Sequence, residues 1–330
     1  MAPANYVFPS GQNNAAAYAH NFSPGYVEQW TLSIQRSLTH SDLLEVAYVG
    51  TVGSHESLTE DENQAVYVPG NSIPNNTANR NARRPYRSVA QVTEVASNGM
   101  SSYNGLEATY HHTDKHGFNL MSTFAWSKCI DTGSVDGDTY TVTSVKGGLD
   151  LTRGRCDFDQ NLVFTSTFTW NTPALKGSNA WIRGVLGSWI ASGTIAADAG
   201  QPFSVPDSAD DSSTTGLGLE KADLTGQPTH VNGRLNLAAF PPAALGTWGN
   251  SGRNSYPGPN YVDVDFGLGK DFKLPEKMDL TFRAEAFDLL NHPNRYNIIT
   301  TISGSSSSQF GLPNNYQDPR IMQFSLKLAF

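Results

Sequence analysis

The stretch Tyr261-Val-Asp-Val-Asp-Phe-Gly-Leu-Gly-Lys-Asp-Phe272 alternates large apolar residues with small or acidic ones. Successive side chains of a β-strand point to opposite faces of the sheet, so a period of two predicts a strand with one apolar and one polar face. The apolar face would carry Val262, Val264, Phe266 and Leu268, and the polar face Asp263, Asp265, Gly267 and Gly269.

The same alternation returns along most of the chain, at Trp30–Gln35, Gly117–Lys128, Asn161–Trp170, Met278–Glu285 and Met322–Phe330. It predicts an all-β protein with about ten to fourteen strands in this chain. Several predicted strands are about nine to twelve residues long, a length typical of strands that cross a membrane. The alternative from the pattern alone is a soluble sandwich or barrel whose apolar rows meet in a core.

Composition excludes other classes of protein. The 330 residues carry a net charge of −8, and only 16% are charged. One short basic run, Asn79–Arg84, reads as a solvated loop, so the chain lacks the basic stripe that nucleic-acid binding requires. No stretch reaches the ~18 apolar residues of a transmembrane helix. The first residues, Met-Ala-Pro-Ala-Asn-Tyr-Val, do not resemble a signal peptide.

The connections between predicted strands alternate in length. Short turns at Thr39–Asp42, Thr113–Gly117 and Leu274–Lys277 separate long polar segments, the longest of which covers residues 200–260. Outer-membrane barrels have short periplasmic turns and long external loops, so residues 200–260 are predicted to be an external loop. The number of strands predicted between Leu44 and Gly117 does not place every short turn at the same end of the sheet. An external hairpin at Ser97–Ser101, or an unrecognised strand between residues 53 and 87, would restore the alternation.

Several blocks resemble a known family. They include Tyr26-Val-Glu-Gln-Trp-Thr-Leu-Ser-Ile-Gln-Arg36, Leu44-Glu-Val-Ala-Tyr-Val-Gly-Thr51 and Leu280-Thr-Phe-Arg-Ala-Glu-Ala-Phe-Asp-Leu-Leu-Asn-His-Pro293. They are similar, in order, to the C-terminal barrel of TonB-dependent outer-membrane receptors of the Oar-like, acidobacterial type. The resemblance implies an antiparallel transmembrane β-barrel, or its C-terminal part, over residues 1–330, located in the outer membrane of a Gram-negative bacterium.

The resemblance also implies partners. Outer-membrane lipid would contact the apolar face, including outward-facing Phe118, Phe164, Phe266 and Leu326. The final strand resembles the family's signal for the barrel-insertion machinery, which here would consist of Phe324, Leu326, Leu328 and Phe330. No plug or TonB box is recognisable in the chain, so TonB would act only through N-terminal parts missing from it.

The function implied is uptake of an external nutrient, an oligosaccharide or a metal chelate, bound by the long loops. No nucleophile elbow, phosphate loop or haem site occurs, so we expect a non-catalytic protein without a cofactor. One alternative is a soluble, secreted all-β carbohydrate-binding protein or hydrolase. A second is an incomplete receptor fragment without independent activity.

Three groups of residues are candidates for a site. Cys129 and Cys156 could form a disulfide at the base of a loop, the alternative being two free thiols. Asp136 and Asp138 could supply oxygens to Ca²⁺, although solvated acids fit the sequence better. The polar rows place Asp263, Asp265, Arg283 and Glu285 on the lumen side of neighbouring strands, where opposite charges would pair directly or diagonally.

Overall fold

The fold is known from a computed structural model, which describes residues 14–69, 79–134, 144–145, 148–207, 220–275, 278–303 and 305–330. The structure is all-β, as the sequence predicts. Nine long strands form an antiparallel meander in which each strand pairs with the next, and three short strands join the sides of this sheet. The first and last of the nine are its two edges, and within the described residues they do not pair with each other.

The elements have the following bounds. The strands are β1 (Ala15–Tyr18), β2 (Tyr26–Ser37), β3 (Asp42–Asp61), β4 (Val92–Thr113), β5 (Phe118–Asp131), β6 (Ser144–Val145), β7 (Gly154–Arg155), β8 (Leu162–Asn171), β9 (Trp189–Asp198), β10 (Pro202–Phe203), β11 (His230–Val231), β12 (Arg234–Leu235), β13 (Tyr256–Pro257), β14 (Tyr261–Lys273), β15 (Asp279–Phe287), β16 (Arg295–Ile298), β17 (Pro313–Tyr316) and β18 (Ile321–Ala329). The helices are α1 (Leu149–Thr152) and α2 (Ala180–Leu186), with 3₁₀ turns at Asn81–Arg83, Leu237–Ala239 and Ser305–Gln309. Within the described residues, none of the helices has the length and apolarity needed to span a bilayer.

The meander runs β2-β3-β4-β5-β8-β9-β14-β15-β18, and its connections differ at the two ends of the sheet. At one end, called the turn end, the connections are residues 38–41, 114–117, 172–188 and 274–278. At the other, called the loop end, they are the longer residues 62–91, 132–161, 199–260 and 288–320. This alternation is typical of an outer-membrane barrel, whose long loops lie outside the cell.

The hairpin at Ser97–Ser101, one of the two explanations for the failed alternation, does not exist. Those residues lie inside β4, a continuous strand of 22 residues that pairs with the 20 residues of β3. The register between these strands shifts around Glu56, where a Cβ on Gly99 would come within 2.7 Å of the Glu56 carbonyl oxygen. A bulge therefore interrupts the alternation, and it made one long strand read as two. Within the described residues the sheet has twelve strands, nine of them long, which lies within the ten to fourteen expected.

Each long strand contributes alternate residues to an apolar and a polar face. The register aligns Val46, Ala108, Phe124 and Phe164 across four strands on the apolar face. It aligns Thr167, Thr194 and Asp265 on the polar face. Two serines interrupt the apolar face, Ser122 and Ser166, and their hydroxyl oxygens lie 2.8 Å apart in a mutual hydrogen bond. Each hydroxyl group therefore has a hydrogen-bond partner within the protein, as a polar group that faces lipid requires.

The apolar face is not covered by the chain. Phe118, Phe164 and Phe266 are only partly buried, and Leu326 is 68% exposed. The pattern of exposure therefore fits a sheet whose apolar face contacts lipid, not a sandwich with a dry centre.

A lysine lies on the apolar face at the turn end, covered by a helix. Lys270 is 5% exposed, and its ammonium donates to the carbonyl oxygens of Val185 and Gly187 at the C-terminal end of α2. Its nitrogen also lies 5.1 Å from the ring centroid of Trp189 and 5.2 Å from that of Phe272. Carbonyl oxygens and aromatic rings replace the water around this cation, so α2 is held against the sheet.

Candidate ligand-binding site

The connections at the loop end are folded, and a disulfide holds the base of one of them. Cys129 lies near the end of β5, and its sulfur is bonded to that of Cys156, with the two Cα atoms 5.4 Å apart. The Cys156 N–H also donates to the Cys129 carbonyl oxygen at 3.1 Å. Both residues are at least nine-tenths buried, so the connection 132–161 begins from a fixed point.

Arg253 joins the connection 199–260 to the connection 132–161. Its Nη1 donates to Asp131, and its Nη2 donates to Ser134 Oγ at 2.6 Å and to Asp157 Oδ1 at 2.9 Å. The guanidinium side chain is 12% exposed. Charge-assisted hydrogen bonds with little exposure are stronger than neutral ones, so this arginine fixes two loops relative to each other.

The turn before Arg253 depends on glycine. Gly249 and Gly252 have φ values of +71° and +75°, in the region that side chains other than that of glycine rarely adopt. A Cβ on Gly249 would lie 1.8 Å from the Lys221 carbonyl oxygen, which is an impossible contact. Burial, together with repulsion from Arg253, lowers the pKa of Lys221 in this region.

A small hydrophobic core is formed by residues of the connections at the loop end, and it does not lie between the long strands. Phe240 is its most buried aromatic residue, and its ring centroid lies 5.1 Å from that of Tyr256 and 5.6 Å from that of Phe310. The cluster consists of Val205, Ala222, Leu235, Ala239, Phe240, Tyr256, Ile302 and Phe310. It joins the connections 199–260 and 288–320, and we call the resulting unit the loop cap. Burial raises the pKa of Tyr256 within it.

The basic run Asn79–Arg84 is only partly the solvated loop that the sequence suggests. Arg84 is 6% exposed, and its Nη1 donates to Asp61 Oδ2 at 2.9 Å. Asn63 lies beside this pair and donates to three backbone carbonyl groups of the same connection, those of Tyr86, Val89 and Ala90. The connection 62–91 is therefore organised around a buried ion pair.

A cavity of about 670 Å³, called the loop cleft, opens between the hairpin β11-β12 and the hairpin β16-β17. Its charged groups are Arg234 and Arg295, with His230 nearby, and Phe203 and Tyr316 supply aromatic surface. No carboxylate is among the residues that line it, and within the described part of the chain neither arginine side chain has an ion-pair partner. The arrangement presents hydrogen-bond donors and positive charge, which suit an anionic or hydroxyl-rich ligand.

The four charges predicted for the lumen lie on the polar face. Asp263 and Asp265 are on β14, opposite Ala196 and Thr194 of β9. Arg283 and Glu285 are on β15, but the register sets them opposite Gly269 and Gly267. The cross-strand ion pairing expected between these carboxylates and Arg283 therefore does not occur among the described residues, because β14 and β15 are offset by more than the sequence pattern reveals. The Asp265 carboxylate instead accepts the N–H of Asp288 at 3.0 Å.

The remaining candidates divide as follows. Asp136 and Asp138 lie outside the described residues. In the ranges that are described, no cluster of three or more histidine, cysteine or acidic side chains could hold a metal ion. Phe324, Leu326 and Leu328 are exposed on the apolar face of β18, and Phe330, two residues after Leu328, is exposed as well. The role of these four residues as an insertion signal stays a prediction.

Sequence reasoning missed the residues that shape this end of the molecule. Arg253, Arg234 and Arg295 are isolated in polar segments, and nothing in their neighbourhood marks them as functional. The one available signal was the glycine-rich string Gly249-Asn-Ser-Gly252 directly before Arg253, which indicates a constrained turn.

Comparison with known proteins gives a family and distant structural similarities. A family model described as an outer membrane beta barrel domain matches residues 2–323. The structure is similar to the outer membrane transporter YddB from Escherichia coli, with a TM-score of 0.49 and 9% identity over 96% of this chain. It is also similar to P. aeruginosa FpvA, solved with an iron-pyoverdine, with a TM-score of 0.45 and 11% identity over 92% of this chain. The chain spans 34% of the first structure and 27% of the second. No curated protein matches it.

Proposed function

Because the chain belongs to the family of outer membrane beta barrel domains, we propose that it is the barrel segment of a receptor for an external nutrient. The protein lies in the outer membrane, with its apolar face toward lipid. The proposed receptor is TonB-dependent and of the Oar-like type, and it is coupled to TonB through parts outside this chain. It is non-catalytic and uses no cofactor, and the barrel-insertion machinery is its proposed assembly partner.

The loop cleft is the observation that carries this proposal. It lies at the end of the sheet that faces outward in an outer-membrane barrel, and it is supported by the folded loop cap. Two arginines without described acidic partners line it, so an anionic ligand is the best fit. Among the nutrients considered, an acidic oligosaccharide or a negatively charged metal chelate meets this requirement.

The charges of the polar face favour capture over free diffusion. Asp263 and Asp265 lie on β14 near the loop end, and they present negative charge to the lumen. This row would repel an anion that left the loop cleft toward it, so passage would be opposed while Arg234 and Arg295 hold the anion in the cleft. Such an arrangement suits a receptor that needs an energised step for passage, and it does not suit an open anion pore.

The proposal is tested by binding to the full chain in lipid vesicles. The ligands are ferric citrate and a tetrameric oligouronate, each titrated against the intrinsic tryptophan fluorescence. Arg234→Ala with Arg295→Ala should weaken binding roughly tenfold or more, because each charge-assisted hydrogen bond is worth about 1.5–3 kcal/mol. The matched control is Arg153→Ala, an exposed arginine of another loop that does not line the cleft. Equal affinity of wild type and double variant for both ligands would contradict the proposal.

A further inference from the structure

A second cavity lies on the lipid side of the sheet, at the loop end. It has a volume of about 640 Å³, within the ~300–1,000 Å³ of typical ligand pockets, and we call it the rim cleft. Tyr48, Leu106 and Trp126 are aligned in one row of the apolar face and form its wall. Asn104 and Lys128 form the next row toward the loop end. Because two residues of a strand span about 6.6 Å, the cleft extends from the apolar band into the polar rim.

The apolar wall is open to its surroundings. The exposed fraction is 40% for Tyr48, 40% for Leu106 and 59% for Trp126. In an outer-membrane barrel, aromatic residues at this height lie at the boundary between acyl chains and headgroups. Along β4, Asn104 and His112 mark the two polar limits of the apolar face, eight residues or about 26 Å apart, which places the rim cleft at the outer boundary.

The polar part of the rim cleft contains hydrogen-bond donors that are not used elsewhere. The Tyr48 hydroxyl donates to Asn104 Oδ1 at 2.7 Å, which leaves the Asn104 amide nitrogen as a donor. Lys128 is exposed, and its ammonium has no partner within the described part of the chain. Arg155 uses its Nε on Asp159 Oδ2 at 2.6 Å, and its two terminal nitrogens have no hydrogen-bond partner among the described residues.

The one carboxylate in the rim cleft is already engaged. Asp159 is 1% exposed, and besides Arg155 it accepts the Cys129 N–H at 3.0 Å. Arg155 is itself paired through β7 with Ile130 of β5, next to the disulfide. Arg155 is therefore held in place before any ligand arrives, and the groups available to a ligand are hydrogen-bond donors, two of them cationic.

We infer that the rim cleft binds a phosphate-bearing lipid of the outer leaflet. Lys128, Arg155 and Asn104 contact the phosphate, and the acyl chain lies along Trp126 and Leu106. Lysine and arginine at a membrane surface attract anionic headgroups, and the guanidinium fork matches phosphate oxygens. The apolar wall, continuous with the lipid-facing row, selects a lipid over a free phosphate ion. This inference depends on the membrane position of the sheet, and it is independent of what the receptor takes up.

The experiment uses the full chain in nanodiscs of digalactosyldiacylglycerol, a bilayer lipid without phosphate, containing equal fractions of phosphatidic acid and diacylglycerol with the same acyl chains. After transfer to detergent, native mass spectrometry measures which lipid stays bound. The wild-type chain should retain phosphatidic acid roughly tenfold more than diacylglycerol. Lys128→Gln with Arg155→Gln should lose this preference, and the control Arg153→Gln should keep it. Millimolar inorganic phosphate should not displace the lipid.

Three outcomes would overturn the inference. They are equal retention of both lipids, an unchanged preference in the double variant, and displacement by inorganic phosphate, which would indicate a site for the free ion. If the double variant does not fold, Lys128→Gln alone decides, because its exposed side chain has no described contact to lose. That single variant should still reduce the preference several-fold, and an undiminished preference in it would count against the lipid site.

Discussion

The assignment of the two faces can be tested with one pair of neighbouring residues in β9. Ile195 lies on the apolar face between Ser166 and Val264, and it is 39% exposed. Thr194 precedes it and lies on the polar face, opposite Asp265. Replacing each with arginine adds the same charge at the same depth, and only the face differs.

The expected cost of Ile195→Arg follows from its depth. Ile195 is near the middle of β9, whose ten residues have a length of about 33 Å. Arginine on the lipid side costs about 2–4 kcal/mol at the midplane and little near the interfaces. We therefore expect a loss of about 3 kcal/mol, which is roughly a hundredfold change in the folding equilibrium.

Thr194→Arg should behave differently. Its guanidinium would lie on the polar face beside the Asp265 carboxylate, and opposite charges across strands contribute about 0.2–1 kcal/mol in favour of the folded state. We expect a stability equal to that of wild type or slightly higher, with a gain that decreases as salt is added.

The assay is urea unfolding of the chain in phospholipid vesicles, followed by tryptophan fluorescence. Comparing the unfolding free energies of the two variants cancels any effect of the added arginine that does not depend on the face it occupies. A loss from Thr194→Arg equal to or greater than that from Ile195→Arg would refute the face assignment, and with it the contact between the apolar face and lipid.

Three further predictions concern the ends of the sheet. Cys156→Ala should destabilise the connection 132–161 by about 3.5 kcal/mol, because the lost bond closes a loop of sequence separation 27. Unchanged protection from hydrogen exchange in that connection would contradict this. Lys270→Met should release α2 from the sheet, because each lost hydrogen bond from the ammonium is worth about 1.5–3 kcal/mol. The hydrogen exchange of residues 180–186 should then increase roughly tenfold or more. Unchanged exchange would show that other contacts hold α2. The Phe118 N–H, which donates to Asp114 at 2.9 Å, holds the pKa of that carboxyl below its ordinary value. The carboxylate therefore stabilises the 114–117 turn above pH ~4, and this contribution is lost as the pH falls through the lowered pKa. The protection factors of the turn amides, which correct for the intrinsic exchange rate at each pH, should therefore fall with acid in wild type but not in Asp114→Asn.

The sequence was sufficient for the parts of the fold that depend on local alternation. Strands such as β14 and β18 could be read directly, because one face of each meets lipid and the other meets water. The bulge at Glu56 could not, since an extra residue in one strand shifts the apparent phase without any mark in composition. The offset that separates Arg283 from Asp265 was hidden for a related reason, because register depends on turn geometry as well as on pattern.

The ligand-binding regions were harder to predict than the strands. The loop cleft is built by arginines that lie far apart in sequence and meet only because Phe240, Tyr256 and Phe310 pack beneath the loops. No short-range rule identifies such long-range contacts. The rim cleft was missed because its lysine and arginine belong to different elements, β5 and β7, which the disulfide brings together.

The position of the buried aromatic cluster has a consequence for how this molecule responds to its surroundings. Its apolar side chains are shielded from water in two different ways. The bilayer covers those on the apolar face of the strands, whereas those of the loop cap pack against one another. Thinning the membrane or exchanging it for detergent should therefore destabilise the long strands and leave the loop cap intact. Heat or denaturant should melt the two parts at separate midpoints.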